Sequence, residues 1–277
     1  HNEIFYQEMM QRLEKRGEWQ GEIWNKRKNG ESYPAFISIS TVKDEKGKFF
    51  ILCNPHNPGG VVWTEAELRA IADICYDEKV LVFSDEIHAD LTLPPHTHRP
   101  FATVSEKARM NSVTFMSPSK AFNMPGLSAS HALIFNEDLR KRFRIYMDAG
   151  ELDMGHVFAF LSVEAAYSHG TEWLDQCLAY IQGNIDFVDE FLKKHAPKIK
   201  AIRPEASYLV WLDCRELELS QKDLNEFFVD KAHLALNDGE MFGKEGIGFM
   251  RLNVASPRCI IEKAMKQLAD AYQLYIK

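Results

Sequence analysis

Six polar residues follow three short apolar segments of the chain, and all six are of types that take part in catalysis or ligand binding. They are Asn57, Asp85, His88, Ser117, Ser119 and Lys120. The apolar segments, residues 49–52, 80–83 and 113–116, are each typical of a buried strand. Ligands of parallel α/β sheets bind beyond the carboxyl ends of the strands. We therefore predict that these residues converge on one site.

The residue types at this site indicate a cofactor. The amine of Lys120 can form a Schiff base with an aldehyde, while Ser117 and Ser119 beside it can bind a phosphate. A carboxylate at a strand end, here Asp85, can keep a pyridine nitrogen protonated. Pyridoxal 5'-phosphate (PLP) carries an aldehyde, a phosphate and a pyridine nitrogen, so we predict PLP as the cofactor.

These motifs resemble the fold-type-I PLP enzymes of the aminotransferase class I/II group, from about residue 49 to residue 277. Residues 54–60 and 85–90 are most similar to the C–S β-lyase (cystathionine β-lyase) branch of that group. The resemblance implies an α/β fold with part of a PLP-binding large domain, residues 49–149, in which helices flank a mostly parallel sheet. It implies a smaller α+β domain at residues 150–277, which includes long helices.

The resemblance also implies a role for each candidate residue. Lys120 and Asp85 would be catalytic, with Asp85 facing the ring nitrogen, and Asn57 and His88 would contact the 3-oxygen of the ring. Ser117 and Ser119 would bind the phosphate. Arg251, in an otherwise apolar strand, would bind the α-carboxylate of an amino-acid substrate, together with Asn57.

Each of these roles has a structural alternative. A lysine or an arginine is commonly a surface residue, an aspartate or a serine at a strand end can cap a helix, and a buried histidine can satisfy a local hydrogen bond. Arg251 interrupts an apolar strand, which favours a paired, functional charge over a surface residue. His96 and His98 have no further ligands at metal-binding spacing, so we predict no metal site.

Two departures from the resembled family affect the phosphate site. Many relatives have an arginine two residues after the glycine that corresponds to Gly126, whereas this chain has Ser128. The resembled enzymes also have a long segment before the position of Asn57, with a glycine-rich turn and an aromatic residue that stacks on the ring. We therefore expect weak PLP binding and impaired activity from a fused or truncated chain.

Residues 1–48 have a different character from the rest. They resemble the C-terminal end of a PAS domain, namely its last helix and the hairpin that follows. The sequence predicts an amphipathic helix through Ile4, Phe5, Met9 and Leu13, and then strands at residues 19–24 and 33–40. Asn29 and Gly30 are a strong signal for the turn between these strands. We expect a structural hairpin rather than a sensor, since only this end of a PAS domain is present.

Helix signals are regular in the remainder of the chain. Thr64 and Glu67 form a capping box pattern, and we predict that Thr171 caps a long helix that ends before Pro197. Ser220 is predicted to cap a further helix, and a closing helix follows Pro257. The alternation of these helices with short apolar strands is typical of an α/β fold.

Composition limits the partners. The 277 residues carry a net charge of -7, which argues against nucleic acid, and no apolar stretch reaches the ~18 residues of a membrane helix. The five cysteines are dispersed, which favours reduced thiols and a cytoplasmic location. The remaining partner is a small amino-acid substrate, and the resemblance implies a homodimer.

Three functions remain open from the sequence. The first is C–S β-lyase activity on cystathionine or cysteine conjugates, which yields a thiol, pyruvate and ammonia. The second is transamination, which would use the same residues. The third is a non-catalytic relic of such an enzyme.

Overall fold

The computed structural model describes residues 8, 11–12, 18–26, 32–40, 48–152 and 155–275. Its strands are β1 (Glu18–Lys26), β2 (Ser32–Ser40), β3 (Lys48–Cys53), β4 (Val80–Asp85), β5 (Ser112–Met116), β6 (His131–Leu133), β7 (Lys200–Ile202), β8 (Leu209–Asp213), β9 (Asn237–Asp238) and β10 (Phe249–Asn253). Its α-helices are α1 (Glu65–Asp77), α2 (Glu106–Met110), α3 (Pro118–Ala121), α4 (Glu137–Ala149), α5 (Val157–His169), α6 (Thr171–His195), α7 (Gln221–Glu226) and α8 (Arg258–Tyr275).

The chain from residue 48 onward forms two compact units. The first contains residues 48–56 and 62–175, and the second contains residues 57–61 and 176–275. The units divide after Asp175, inside α6. The domain boundaries at residues 48/49 and 149/150 stay a prediction.

The first unit is built on a four-stranded sheet of order β3-β4-β5-β6. The first three strands are parallel and β6 is antiparallel to β5. The predicted mostly parallel sheet is therefore confirmed. Helix α1 buries Leu68, Ala72 and Cys75, and the predicted capping box at its start is present: Glu67 N donates to Thr64 Oγ1, and Thr64 N donates to the Glu67 carboxylate.

The second unit is built on an antiparallel sheet of order β7-β8-β10-β9. Two long helices each bury one face at a spacing of three to four residues. The buried residues are Ile181, Ile185, Val188 and Leu192 of α6, and Ile261, Met265, Leu268 and Ala271 of α8. Each of these side chains except the smaller Ala271 contributes about 1.5–3 kcal/mol by leaving water. The α+β character that we predicted for this part of the chain is confirmed.

The glycine-rich turn between β9 and β10 depends on two glycines. A Cβ atom on Gly239 would lie 2.1 Å from the carbonyl oxygen of Gly246, and a Cβ on Gly246 would lie 2.0 Å from that of Gly239. Both atoms are backbone, so they cannot move aside without shifting the turn. The turn therefore requires glycine at both positions, and it fixes the two-residue strand β9 beside β10.

Two helices differ from the prediction. Helix α4 was not predicted, although Asn136 accepts from the backbone N–H groups of Asp138 and Leu139 as its N-cap. The prediction that Thr171 caps α6 was wrong by one residue. Leu174 N donates to Gly170 O at 2.9 Å, so Gly170 accepts the first helical hydrogen bond and the helix begins at Thr171.

At the N-terminal end, β1 and β2 pair in a two-stranded sheet, which confirms the two predicted strands. The residues predicted to form the preceding helix and the intervening turn lie outside the described residues: Ile4, Phe5, Met9, Leu13, Asn29 and Gly30. The likeness to a PAS domain stays a prediction. Within the described part of the chain, no helix combines the length and the apolar character that crossing a membrane requires.

Candidate active site

The carboxyl ends of β3, β4 and β5 lie side by side. Asp85 pairs with Cys53 on one side and with Phe115 on the other. The backbone continues this alignment past the strands, since Asn54 N donates to Asp85 O at 2.9 Å and Glu86 N donates to Phe115 O at 2.9 Å. The predicted convergence of these three segments on one edge of the sheet is confirmed.

Asp85 is a half-buried carboxylate at the last position of β4. Its Oδ1 accepts a hydrogen bond from Ile87 N at 3.3 Å, and it has no cationic partner among the described residues. Burial raises the pKa of Asp85, and the neighbouring Glu86 raises it further, against the lowering effect of the Ile87 hydrogen bond. The arrangement favours a bound cation, which would restore the charged form of the carboxylate.

Lys120 lies on the short helix α3, four residues after the end of β5. Its side chain is exposed and makes no ion pair within the part of the chain that the structure describes. The amine is therefore available for reaction. Lys120 follows β5, which pairs with β4, the strand that ends at Asp85.

Ser117 and Ser119 both bind the same backbone carbonyl. The hydroxyl of Ser117 donates to Ala129 O at 2.5 Å and accepts from Ser119 N at 3.1 Å, so Ser117 is the N-cap of α3. The hydroxyl of Ser119 donates to Ala129 O at 3.2 Å. Ser117 therefore caps a helix, as the structural alternative to a phosphate role proposed. Phosphate binding by Ser117 and Ser119 stays a prediction. Ser128, where many relatives carry arginine, is exposed and has a left-handed backbone with φ 49°.

His88 is buried, with 3% of its surface exposed, and it directly precedes a short 3-10 turn at Ala89–Leu91. This position is compatible with the predicted contact to a ring oxygen, which stays a prediction. His56, beside the predicted site residue Asn57, has its pKa lowered to about 4 by burial. The imidazole of His56 is therefore neutral at pH 7.

A buried pair that the sequence reasoning missed lies directly after Asp85. The Glu86 side chain is 0% exposed and accepts from Ser84 Oγ at 2.8 Å and from Phe101 N at 2.9 Å. Its other oxygen lies 2.7 Å from His98 Nε2. His98 is thus the partner of Glu86. No group of residues with metal-binding geometry is found in the described ranges. Two sequence features could have indicated this pair: Glu86 directly follows a predicted strand, and His98 lies in the loop after it.

The second unit contains the other two predicted site residues, and they are in contact. Arg251 lies in β10, and its Nη1 donates to Asn57 Oδ1 at 2.8 Å. Burial lowers the pKa of Arg251, and the nearby Tyr208 acts in the opposite direction. The guanidinium is thus half-buried and positioned by a neutral amide, as expected for a site that binds an anion.

A further residue of this site was not predicted. Asn237 of β9 accepts from Arg251 Nη2 at 2.8 Å, and the ring of Phe242 lies 4.6 Å from the guanidinium carbon. In the sequence, Asn237 is followed by Asp238 and Gly239, a combination that is common in turns. This pattern alone does not predict a contact with Arg251.

The sequence of the chain matches the family Aminotransferase class I and II over residues 35–268. The chain belongs to this family. The family assignment agrees with the α/β fold that we predicted from the sequence, and with the side-by-side carboxyl ends of β3, β4 and β5.

Three relatives illustrate the family. Cystathionine beta-lyase PatB of Bacillus subtilis is 38% identical over 230 residues, which is 83% of this chain and 59% of that protein. The PLP-containing structure of cystalysin from Treponema denticola is 35% identical, with a TM-score of 0.78, over 82% of this chain and 57% of that one. The PLP-bound structure of a "putative aminotransferase" of Clostridium difficile 630 is 36% identical, with a TM-score of 0.81. This match covers 90% of this chain and 64% of that one. The chain thus spans about three fifths of the length of these relatives.

Proposed function

We propose that this chain is a PLP-dependent C–S β-lyase that acts on cystathionine or cysteine conjugates. The observation that carries the proposal is the placement of Asp85 at the carboxyl end of β4 and of Lys120 just after the neighbouring parallel strand β5. The likeness to PatB, which is named a cystathionine beta-lyase, supports the reaction, and the PLP in cystalysin supports the cofactor.

The residues present fit PLP by the chemistry of their side chains. Asp85 is a half-buried carboxylate that has no cation beside it among the described residues, which suits a protonated pyridine nitrogen. Lys120 has an exposed amine that would hold the aldehyde carbon covalently. His88 and Asn57 would bind the ring oxygen. The hydroxyls of Ser117 and Ser119 would bind the phosphate after releasing Ala129 O.

When bound, PLP withdraws electrons from the α-carbon of an amino acid, which makes the α-proton acidic. In the proposed reaction the amino group of the substrate takes the place of the Lys120 amine at the aldehyde carbon. The freed amine of Lys120 would then remove the α-proton, acting as a general base. Asp85 would hold the ring nitrogen protonated, and Arg251 would bind the α-carboxylate of the substrate. For cystathionine, the net reaction consumes one water and gives homocysteine, pyruvate and ammonia.

Transamination is the second candidate function. It is favoured by the likeness to the C. difficile protein, which is named a "putative aminotransferase" and has the higher TM-score of the two solved structures described above. The same lysine, aspartate and arginine would serve both reactions, so the residues of the site do not separate them. The products do, because elimination releases pyruvate from cystathionine, whereas transamination moves the amino group of cystathionine to a keto-acid acceptor and leaves the remaining substrate as a keto acid.

The test is to incubate the chain with saturating PLP, cystathionine and 2-oxoglutarate as amino acceptor, and to measure pyruvate and the keto acid of cystathionine separately. We expect pyruvate to form faster than the keto acid, and we expect Lys120→Ala to abolish both. Keto acid without pyruvate would establish the aminotransferase instead. Neither product, together with no visible absorption band on adding PLP, would identify the chain as a non-catalytic relic.

A further inference from the structure

The guanidinium of Arg251 is held by uncharged groups. Its Nη1 and Nη2 each donate at 2.8 Å to an amide oxygen, of Asn57 and Asn237 respectively, and the ring of Phe242 covers one face. No carboxylate lies within ion-pair distance of it in the described part of the chain, and its Nε is buried without a hydrogen-bond partner there. The positive charge is therefore oriented but not neutralised.

Asn237 is aligned with Arg251 by the sheet. The two residues are direct partners in the antiparallel pairing of β9 with β10, so their side chains extend from the same face. Strand β9 has only two residues, Asn237 and Asp238, and a strand this short needs other contacts to keep its position.

Those contacts come from Asp238, on the opposite face. Its Oδ1 accepts from Gln221 Nε2 at 2.6 Å and from Glu240 N at 2.8 Å, and its Oδ2 accepts from Asn225 Nδ2 at 2.5 Å. Gln221 in turn accepts from Gly248 N at 2.6 Å, which ties the network to the glycine-rich turn. Hydrogen bonds to a charged carboxylate are the stronger kind, so β9 is fixed beside Arg251.

The amide at position 237 has a specific physical advantage. An aspartate there would pair with the guanidinium and compete with any incoming carboxylate, whereas an alanine would leave Nη2 without this hydrogen bond. An amide oxygen orients the guanidinium and leaves its charge available to the ligand.

We propose that Asn237 is a positioning residue that directs Arg251 at the carboxylate of the substrate and keeps the charge of Arg251 available to it. This inference rests on the proposed function, in which that carboxylate is the α-carboxylate of an amino acid. Asp238, Gln221 and Asn225 hold Asn237 in place.

The first test measures ligand binding rather than turnover. 2-Methylalanine has no α-proton to lose, so its binding to the PLP-loaded chain can be followed by the absorption of the cofactor. We expect Asn237→Asp to raise the dissociation constant of 2-methylalanine by about tenfold to a hundredfold, the equivalent of one charge-assisted hydrogen bond. Asn237→Ala should raise it by a smaller factor. The dissociation constant of PLP should not change in either variant.

Two controls separate positioning from a general effect. The amide of 2-methylalanine lacks the carboxylate, so its binding should be the same in the wild type and in Asn237→Asp. Asn253→Asp adds the same charge to an exposed position of β10, and its side-chain oxygen already accepts from Ala255 N at 2.8 Å. Equal losses in Asn253→Asp and Asn237→Asp, or equal losses for acid and amide ligands, would overturn the proposal.

A second measurement needs no cofactor and so separates this inference from the proposed function. In the PLP-free chain, the Nε–H resonance of Arg251, identified by comparison with Arg251→Lys, should shift when acetate is added. We expect the shift in the wild type and in Asn253→Asp, and a much smaller one in Asn237→Asp. If the chain did not bind PLP, the proposed function would be wrong. The acetate titration would still test the role of Asn237, because it is made on the PLP-free chain. Identical acetate responses in all three proteins would contradict that role.

Discussion

At the scale of single residues, two charges determine the proposed chemistry. Asp85 and Arg251 are both half-buried, and neither has a partner of opposite charge among the described residues. Burial shifts both pKa values toward the neutral form, upward for Asp85 and downward for Arg251. A buried charge without a partner destabilises a fold. We therefore attribute these two charges to ligand binding, with a ligand of opposite charge at each, rather than to a stabilising role.

Replacing Asp85 with Asn tests this argument on the PLP-free chain. The pKa of Asp85 is raised above its ordinary value of 3.8, so the folded chain holds this proton more tightly than the unfolded chain. The linked stability is present at low pH and is lost as the pH rises through the raised pKa. At pH 7 we therefore expect Asp85→Asn to be more stable than the wild type, with the difference shrinking as the pH falls toward 3.8.

The measurement is urea unfolding of both PLP-free proteins at several pH values, with the exposed Asp148→Asn as the control variant. The same Asp85→Asn substitution should weaken PLP binding, because an amide cannot hold the ring nitrogen protonated. A variant less stable than the wild type at pH 7 would indicate that Asp85 is a structural cap.

At the scale of secondary-structure elements, the loop after β4 is held to the sheet by Glu86. This carboxylate binds Ser84 of the strand, the backbone of Phe101 at the far end of the loop, and His98. The loop between Glu86 and Phe101 includes His88, so these contacts also limit where His88 can lie. If His98 were removed, one oxygen of the buried Glu86 carboxylate would lose its partner, which destabilises the folded chain.

We accordingly expect His98→Ala to lower the free energy of unfolding by about 3 kcal/mol. His96→Ala is the matched control, because His96 lies two residues earlier in the same loop and is exposed. Urea or thermal unfolding measures both. A loss in His98→Ala no larger than in His96→Ala would show that the Glu86 pair does not stabilise the loop.

The elements that could be predicted from sequence are those with local signals. The apolar runs before Asp85 and Lys120 predicted buried strands, and the Thr64 capping box predicted the start of α1. Helix α4 was missed although two local signals were present: Asn136 as a cap, and Leu139, Phe143 and Met147 at a spacing of four residues. These three side chains are half-buried in the structure. The antiparallel direction of β6 depends on pairing with β5, which no local pattern specifies.

The site shows the same division. Residue types at strand ends were sufficient to place Asp85 and Lys120, since the sheet alone aligns them. The contact of Arg251 with Asn57 joins residues 194 positions apart and was not predicted. The resemblance implied only that both residues bind the substrate. Asn237 was missed because its role depends on the pairing of a two-residue strand, which a sequence pattern cannot show.

At the scale of the whole molecule, the chain is a member of the aminotransferase class I and II family with two compact units. The first unit carries Lys120, Asp85, His88 and the two serines, and the second carries Asn57 and Arg251. The homodimer, the cytoplasmic location and weak binding of PLP stay predictions. The account depends above all on covalent attachment of the cofactor to Lys120.

The direct measurement is borohydride reduction of the chain after loading with PLP, followed by mass spectrometry of its peptides. Reduction makes the link between the cofactor and a lysine amine permanent. The account predicts one adduct, on the peptide that contains Lys120, and its absence in Lys120→Ala. An adduct found only on other lysines, or one that persists in Lys120→Ala at the same yield, would contradict it.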